Sequence, residues 1–327
     1  MVGDHPPVPT FSVVIAAYNA ADTIAAAVRS ALDQSPPPLE VVVVDDGSSV
    51  PVAEALGELR ERVTVVRRAR GGFAAAMSDA ICTAAGDFAV FLGADDAFRP
   101  GRLRALAGLA DARPELDLLT TDATVTIGDR EIGRFYSGET RFAEDDQRVA
   151  ILRANFVFGH VAVRRARAID AGLLDTSMES ASDWDLFIRL ILDGARAGLV
   201  PEPLSVYRLR PGSITSQRTR LLGGRIVALR KALARDDLDA RERAVAQETL
   251  REQELELALE EARAGLRSGA PDARRRAWAV ARDGRQQPVS RARALLTLVA
   301  PPVAAAALRR KEARVALDPA ALRGRRQ

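Results

Sequence analysis

A chain of 327 residues that is 47% hydrophobic and 28% charged has the balance of one large or two ordinary folded domains, not of a disordered or fibrous protein. Its single cysteine, Cys82, excludes an internal disulfide framework, and with only His5 and His160 no zinc site of the Cys/His kind can be assembled. The net charge of +3 hides a division: residues 1–215 hold 22 basic and 30 acidic residues and the remainder 25 and 14, and an acidic front half argues against a nucleic-acid-binding catalytic body.

Strand-length apolar runs alternate with helical patterns through the first hundred residues, the mark of β-α-β units and a largely parallel sheet. The first strand is expected over Phe11–Ala17, followed by Tyr18-Asn19 and an amphipathic helix from Asp22 to Leu32 that stops before Pro36-Pro37-Pro38. Glu40–Val44 reads as a strand buried on both faces, since four valines follow one another, and it runs into Asp45-Asp46-Gly47-Ser48. A third strand at Val63–Arg67, then Gly71-Gly72 and an alanine-rich helix from Phe73 to Ala85, lead to a fourth, Asp87–Leu92, which ends in Gly93-Ala94-Asp95-Asp96.

Beyond Pro100 a helix is expected over Arg102–Ala112, then strands over Leu116–Ile127 and Glu131–Tyr136 with Gly128-Asp129 turning the chain between them, so the sheet is mixed. Asn155–Val163 reads as a further strand, Asp183–Asp193 as a helix and Leu199–Arg208 as an extended segment. Residues 1–216 are expected to form the catalytic domain and 217–327 a basic helical region, with Arg220–Arg267 packing as a helical hairpin.

Near the end, Ala294 to Val303 is apolar between Arg291 and Arg293 on one side and Arg309, Arg310 and Lys311 on the other. At about fifteen residues and interrupted by two prolines it is too short to span a bilayer, so it reads either as a segment lying on a membrane surface or as part of a packed helical module. The polar, proline-rich start, Met1–Thr10, and the absence of any uninterrupted apolar run of about 18 residues lead us to expect a cytoplasmic chain without signal peptide or spanning helix.

In open α/β sheets ligands bind at the carboxyl ends of the strands, where both Asp45-Asp46 and Asp95-Asp96 fall. Carboxylates there can accept hydrogen bonds from a base or ribose, or hold a hard divalent cation that bridges to a diphosphate, and both uses point to a nucleotide ligand. A single Asp pair before Gly-Ser is more often ordinary turn chemistry; two pairs on neighbouring strands are less readily explained that way. Asp183 stands where a helix opens, a position that by itself fits an N-cap worth about 1 kcal/mol. Gly71-Gly72 reads as a tight connection, and His160 as a structural histidine.

Val13-Val14-Ile15-Ala16-Ala17-Tyr18-Asn19, Glu40 to Ser48, Gly86 to Asp96, Ser182-Asp183-Trp184-Asp185-Leu186 with Arg189-Leu190, and Tyr207 to Thr215 stand in the order and spacing of family 2 glycosyltransferases. The chain resembles that family over residues 10 to 216. The resemblance implies an α/β GT-A fold with a mixed central sheet, and an inverting transferase that moves a sugar from a UDP-, dTDP- or GDP-linked donor to a glycan or lipid-linked hydroxyl acceptor in cell-envelope synthesis. It implies a nucleobase pocket at Ala17, Tyr18 and Asp46 with Asp45 supporting the loop, Asp95 and Asp96 as contacts to ribose and to Mn2+ or Mg2+, and Asp183 as general base. Trp184 either stacks on the acceptor or belongs to the core.

Three departures stand out: Gly93 occupies the place of the usual first Asp of the acidic motif, Arg210 that of a frequent metal-binding histidine, and Met77-Ser78 that of a common Arg-Asn. Arg210 with Arg208 is expected to hydrogen-bond the diphosphate and to weaken the dependence on metal, because a guanidinium is always charged and binds phosphate bidentately. A non-catalytic nucleotide-sugar-binding module on the same fold is the alternative. A phospho-acceptor signalling domain would carry acidic residues after its first strand, where this chain has Tyr18-Asn19.

Overall fold

The structure, a computed structural model, describes residues 9–138, 140–209 and 218–268, with the backbone alone over 262–268, and residues 278, 281, 282 and 295. The chain divides into two compact units, Met1–Pro211 and Gly212–Gln327.

The first unit is built on β1 (Phe11–Ala17), β2 (Glu40–Asp45), β3 (Thr64–Arg67), β4 (Phe88–Phe91), β5 (Ala97–Phe98), β6 (Leu118–Ile127), β7 (Arg130–Arg134), β8 (Ala162–Arg164) and β9 (Ala197–Leu209). Their order across the sheet is β3-β2-β1-β4-β8-β6-β9-β5, with β7 paired to β6. Strands β3, β2, β1 and β4 are mutually parallel; β8 lies antiparallel to both β4 and β6, which restores the direction for the parallel β6–β9 pair. The helices are α1 (Ile24–Leu32), α2 (Val52–Leu56), α3 (Phe73–Thr83), α4 (Arg102–Ala112), α5 (Gln147–Arg153), α6 (Arg165–Asp170) and α7 (Ser182–Leu192).

The valine run explains the layering. Val41 and Val43 join Val13, Ile15 and the buried stripe Ile24, Ala27, Val28 and Ala31 of α1 in one core cluster. Side chains alternate across a strand, so Val42 and Val44, also fully buried, point to the other face, where α3 lies against β1 and β2.

Residues 155–163 depart from expectation, since only Ala162–Arg164 pairs as a strand. The Tyr136 hydroxyl donates to the Phe156 carbonyl at 2.8 Å and accepts the Phe158 N–H at 3.0 Å, taking backbone groups that a ladder would need. Phe142 packs edge-on against Phe156, and Phe135 against Phe158. An aromatic cluster thus replaces strand pairing over 155–160, while the Val161 carbonyl already accepts the Phe91 N–H of β4 at 2.9 Å. The short α2, α5, α6 and β5 were likewise not foreseen, because five to seven residues, or two, hold too little periodicity to read.

In the second unit α8 (Arg218–Leu233) and α9 (Ala240–Ser268) form an antiparallel hairpin, with Arg218 paired to Glu256 and Glu260, and Arg230 to Glu254. Asp239 and Glu242 make a reciprocal cap at the start of α9: the Glu242 N–H donates to Asp239 and the Asp239 N–H to Glu242. No helix among the described residues is long and apolar enough to cross a membrane. The apolar segment 294–303 lies, apart from Leu295, outside the described residues.

Arg102, at the start of α4, is fully buried without a carboxylate partner among the described residues. It donates to the hydroxyls of Thr121 and Ser205 and to the carbonyl of His160, and its guanidinium lies 4.7 Å from the Phe98 ring centre. Burial pushes its pKa down to about 9, so it stays charged at neutral pH. Arg102→Ala leaves three acceptors unpaired beside a cavity and is expected to cost about 3 kcal/mol in urea unfolding, whereas Arg102→Met, which fills the space, should cost less than half as much.

Candidate functional site

Strands β1, β2 and β4 are parallel and present their carboxyl ends at one rim of the sheet, and the loops that leave β1 and β2 are tied together. The Asp46 N–H donates to the Ala17 carbonyl at 2.8 Å, and the Asn19 N–H to the Ser48 hydroxyl at 3.0 Å. Asn19, in the left-handed region at φ 49°, accepts the Ser49 N–H on its side chain. Asp45 is buried and accepts the N–H groups of Ser48 (2.9 Å) and Val52 (3.1 Å), so it builds the loop from inside.

Asp46 is also buried. Its two oxygens accept the N–H groups of Gly71 (2.7 Å) and Gly72 (2.8 Å), with Arg68 at 3.6 Å. The Gly71-Gly72 connection therefore serves to dock the β3–α3 loop on Asp46, whose oxygens keep further lone pairs. That loop passes so close to Gly47 that a Cβ there would sit 2.9 Å from the Arg70 nitrogen, and Gly47 has φ +75°. Arg70, exposed, stacks on the half-exposed Tyr18 ring with its guanidinium carbon 3.4 Å from the ring centre.

After β4 the two acidic side chains separate. Asp95 is half-buried, and its backbone carbonyl accepts from the Arg208 guanidinium at 2.9 Å. Asp96 is turned inward: one oxygen meets His160 Nε2 at 2.8 Å and the other accepts the Arg208 N–H at 2.7 Å. The His160 ring is enclosed by Phe98, Phe158 and Tyr207. Gly93 makes room, because a Cβ at that position would lie 2.3 Å from the Asp96 oxygen.

Asp183 lies in the first turn of α7, half-buried. Gln147 at the start of α5 is bonded in both directions to Ala197, the start of β9, while Trp184 Nε1 donates to the Ile151 carbonyl at 2.9 Å. The helices α5 and α7 thus run antiparallel. Trp184 is only 3% exposed, which corrects its reading as an acceptor platform: the ring is part of the core and offers no open face. Asp185 is buried against Arg189, whose guanidinium also caps the Ala171 and Leu173 carbonyls, so that pair shapes the loop before α7. Met77 and Ser78 are buried too, and Ser78 accepts the Leu174 N–H.

Hard cations are held by several oxygens at once. Asp96 has both oxygens engaged within the protein, Gly93 contributes none, and among the described residues no group of three or more His, Cys, Asp or Glu could hold a metal ion. The described residues alone therefore form no closed Mn2+ or Mg2+ shell, and a cation here would be shared between a carboxylate such as Asp95 and the phosphates of a bound donor. Arg210 lies outside the described residues.

The Asp96–His160 pair and the docking of Asp46 on two glycine amides were not anticipated, since neither has a local signal: 64 and about 25 residues separate the partners. Burial raises the Asp45 pKa, but hydrogen bonds from Ser48 and Val52 and the charge of Arg67 outweigh it and hold the group below 3.8. A depressed folded-state value means stability that is present above the unfolded value and lost as pH falls through the folded one. Asp45→Asn is expected to cost about 2 kcal/mol in urea unfolding at pH 7, with the gap to wild type closing below pH 3.8. Gly47→Ala should cost about 1–3 kcal/mol in the same measurement, because it combines a positive φ with the Arg70 contact.

Residues 12–172 match the family model described as glycosyl transferase family 2. The succinoglycan biosynthesis protein ExoO of Rhizobium meliloti (strain 1021) is 30% identical over 220 residues, 64% of this chain and 63% of that protein; ExoU of the same strain is 33% identical over 208, 58% of each. The chain thus spans a little under two thirds of the length of these two relatives. A putative teichuronic acid biosynthesis glycosyltransferase, TuaG, of Bacillus subtilis (strain 168) is 27% identical over 214 residues, 64% of this chain and 83% of its own. Among solved structures, S. aureus TarS 1-349 in complex with UDP-GlcNAc superposes with a TM-score of 0.60 at 19% identity, covering 82% of this chain and 83% of that one. The mannosyltransferase PcManGT from Pyrobaculum calidifontis, in complex with GDP-Man and Mn2+, gives 0.58 at 21%, covering 93% and 88%. At such identities the structures establish the GT-A fold alone. With its order of sheet strands and acidic rim, and through the match over residues 12–172, the first unit carries a glycosyl transferase family 2 domain.

Proposed function

We propose that the protein transfers a sugar from a nucleotide-diphosphate donor to a hydroxyl of a glycan or lipid-linked acceptor, with inversion, in the synthesis of a cell-envelope polysaccharide. What supports this reading is the Asp46–Ala17 hydrogen bond that joins Asp46 to the Ala17-Tyr18 segment at the carboxyl ends of β1 and β2, with Asp95 following β4, the parallel neighbour of β1. The relatives named for succinoglycan and teichuronic acid biosynthesis point to the same class of product.

In this reading the Ala17 backbone and the Asp46 carboxylate recognise the imide edge of the base, Asp45 keeps their loop in place, and Tyr18 with Arg70 forms the outer wall. Asp95 faces the ribose and diphosphate, and Arg208 supplies positive charge beside it. Asp183 takes the proton from the attacking hydroxyl while the anomeric carbon inverts. Dependence on Mn2+ or Mg2+ is weak, because Asp96 is committed to His160 and Arg208. The protein works in the cytoplasm, and a membrane surface met through the basic C-terminal region brings it to a lipid-linked acceptor. The N-cap of α7 is Ala181, so Asp183 lies within the first turn of the helix and is not its cap; if its charge served only that first turn, a nucleotide-sugar-binding module without transfer activity would remain.

Two measurements separate these readings. UDP-, dTDP- and GDP-sugars with and without manganese are expected to raise the melting temperature for one base only, with manganese adding little; no shift with any donor would end both readings. Asp183→Asn should then lower transfer by about 10²- to 10⁴-fold while binding that donor within about twofold of wild type. Unchanged transfer in that variant would remove Asp183 as the base.

A further inference from the structure

We propose that His160 is a positioning residue of the donor site: it draws Asp96 inward and thereby uses that aspartate to fix Arg208 beside Asp95, so that Asp96 serves as a clamp and not as a ligand. This rests on the reading of the rim as a nucleotide-sugar site. Asp96 has two oxygens and two partners, His160 Nε2 at 2.8 Å and the Arg208 N–H at 2.7 Å. A carboxylate is an acceptor only, so the contact places a hydrogen on Nε2. Nδ1, buried, meets no partner among the described residues, which leaves Asp96 as the polar group that orients the ring inside its cage of Phe98, Phe158 and Tyr207.

Three features make the clamp specific to this chain's arrangement. Gly93 leaves the space that the carboxylate fills, and a methyl there would collide with the oxygen that faces His160. The His160 carbonyl is held from below by the buried Arg102, so the histidine is anchored through backbone as well as ring. Arg208 is gripped twice, by its N–H on Asp96 and by its guanidinium on the Asp95 carbonyl at 2.9 Å, which brings a fixed positive charge to the side of Asp95. Replacing a cation's charge in this way needs the guanidinium held in place, because a free arginine would lose rotamer freedom on every binding event.

The test breaks the clamp from both ends. His160→Ala removes the donor, and Gly93→Ala displaces the carboxylate without touching histidine or arginine. Binding of UDP, dTDP and GDP is measured by calorimetry on the full chain, with urea unfolding run in parallel. Each single variant is expected to bind the nucleotide that wild type prefers about tenfold more weakly, and the double variant no more weakly than either single one, since both break one contact. His160→Gln, whose amide N–H can reach the same oxygen, should recover affinity to within about threefold of wild type. Folded variants that bind as tightly as wild type, or losses that multiply in the double variant, would overturn the proposal. Should His160→Ala not fold, Gly93→Ala and His160→Gln carry the same comparison. A wild type that binds none of the three nucleotides would instead count against the rim as a nucleotide site.

Discussion

The rim depends on buried carboxylates whose oxygens are spent on backbone N–H groups, near in sequence for Asp45 and distant for Asp46 and Asp96. Asp45 holds Ser48 and Val52, Asp46 holds Gly71 and Gly72, and Asp96 holds Arg208. Each supplies a side-chain acceptor to a backbone N–H, in a loop, at the start of a helix or near the end of β9, and a hydrogen bond to a charged acceptor is stronger than one between neutral groups. Loops that would otherwise fluctuate independently are thereby joined into one surface. Such preorganisation is what a site needs if it is to bind a polyanionic donor without first ordering its own walls.

The same accounting changes how the acidic motif is understood. Four residues, Gly93-Ala94-Asp95-Asp96, place two carboxylates in sequence, yet the two meet different surroundings. Asp96 is buried and bonded to a histidine that sits in an aromatic cage, while Asp95 stays half-buried. The glycine is what permits this separation, since its missing Cβ is the space that Asp96 occupies. Seen this way, loss of a carboxylate at position 93 and inward rotation of Asp96 are one change, not two. In the proposed mechanism a guanidinium held by the clamp takes over part of the charge neutralisation.

Much of the architecture was legible in the residues. The valine run of β2, the apolar stripe of α1 and the strand over Phe11–Ala17 follow from periodicities of 2 and 3.6, which report burial directly. The ordered motifs placed Asp45, Asp46, Asp95 and Asp183 at strand and helix ends, and there the structure has them. Residues 155–160 misled because their apolar pattern serves an aromatic cluster around Tyr136 and not a sheet neighbour. Trp184 stayed open between two roles for a related reason: beside a motif aspartate its ring can serve a ligand or the core, and its burial and bond to the Ile151 carbonyl decide between them.

What the sequence determined by itself was the succession of elements and the positions of the acidic residues along them, because hydrophobic period and turn chemistry act over a few residues. The partner of each acid was decided only by tertiary structure: Asp46 with Gly71 and Gly72, Asp96 with His160 and Arg208, Asp185 with the loop ahead of α7. Those pairings depend on strand order and register, which bring together segments as many as 112 residues apart. A carboxylate's role is set by which donors surround it, and that is a property of the folded sheet.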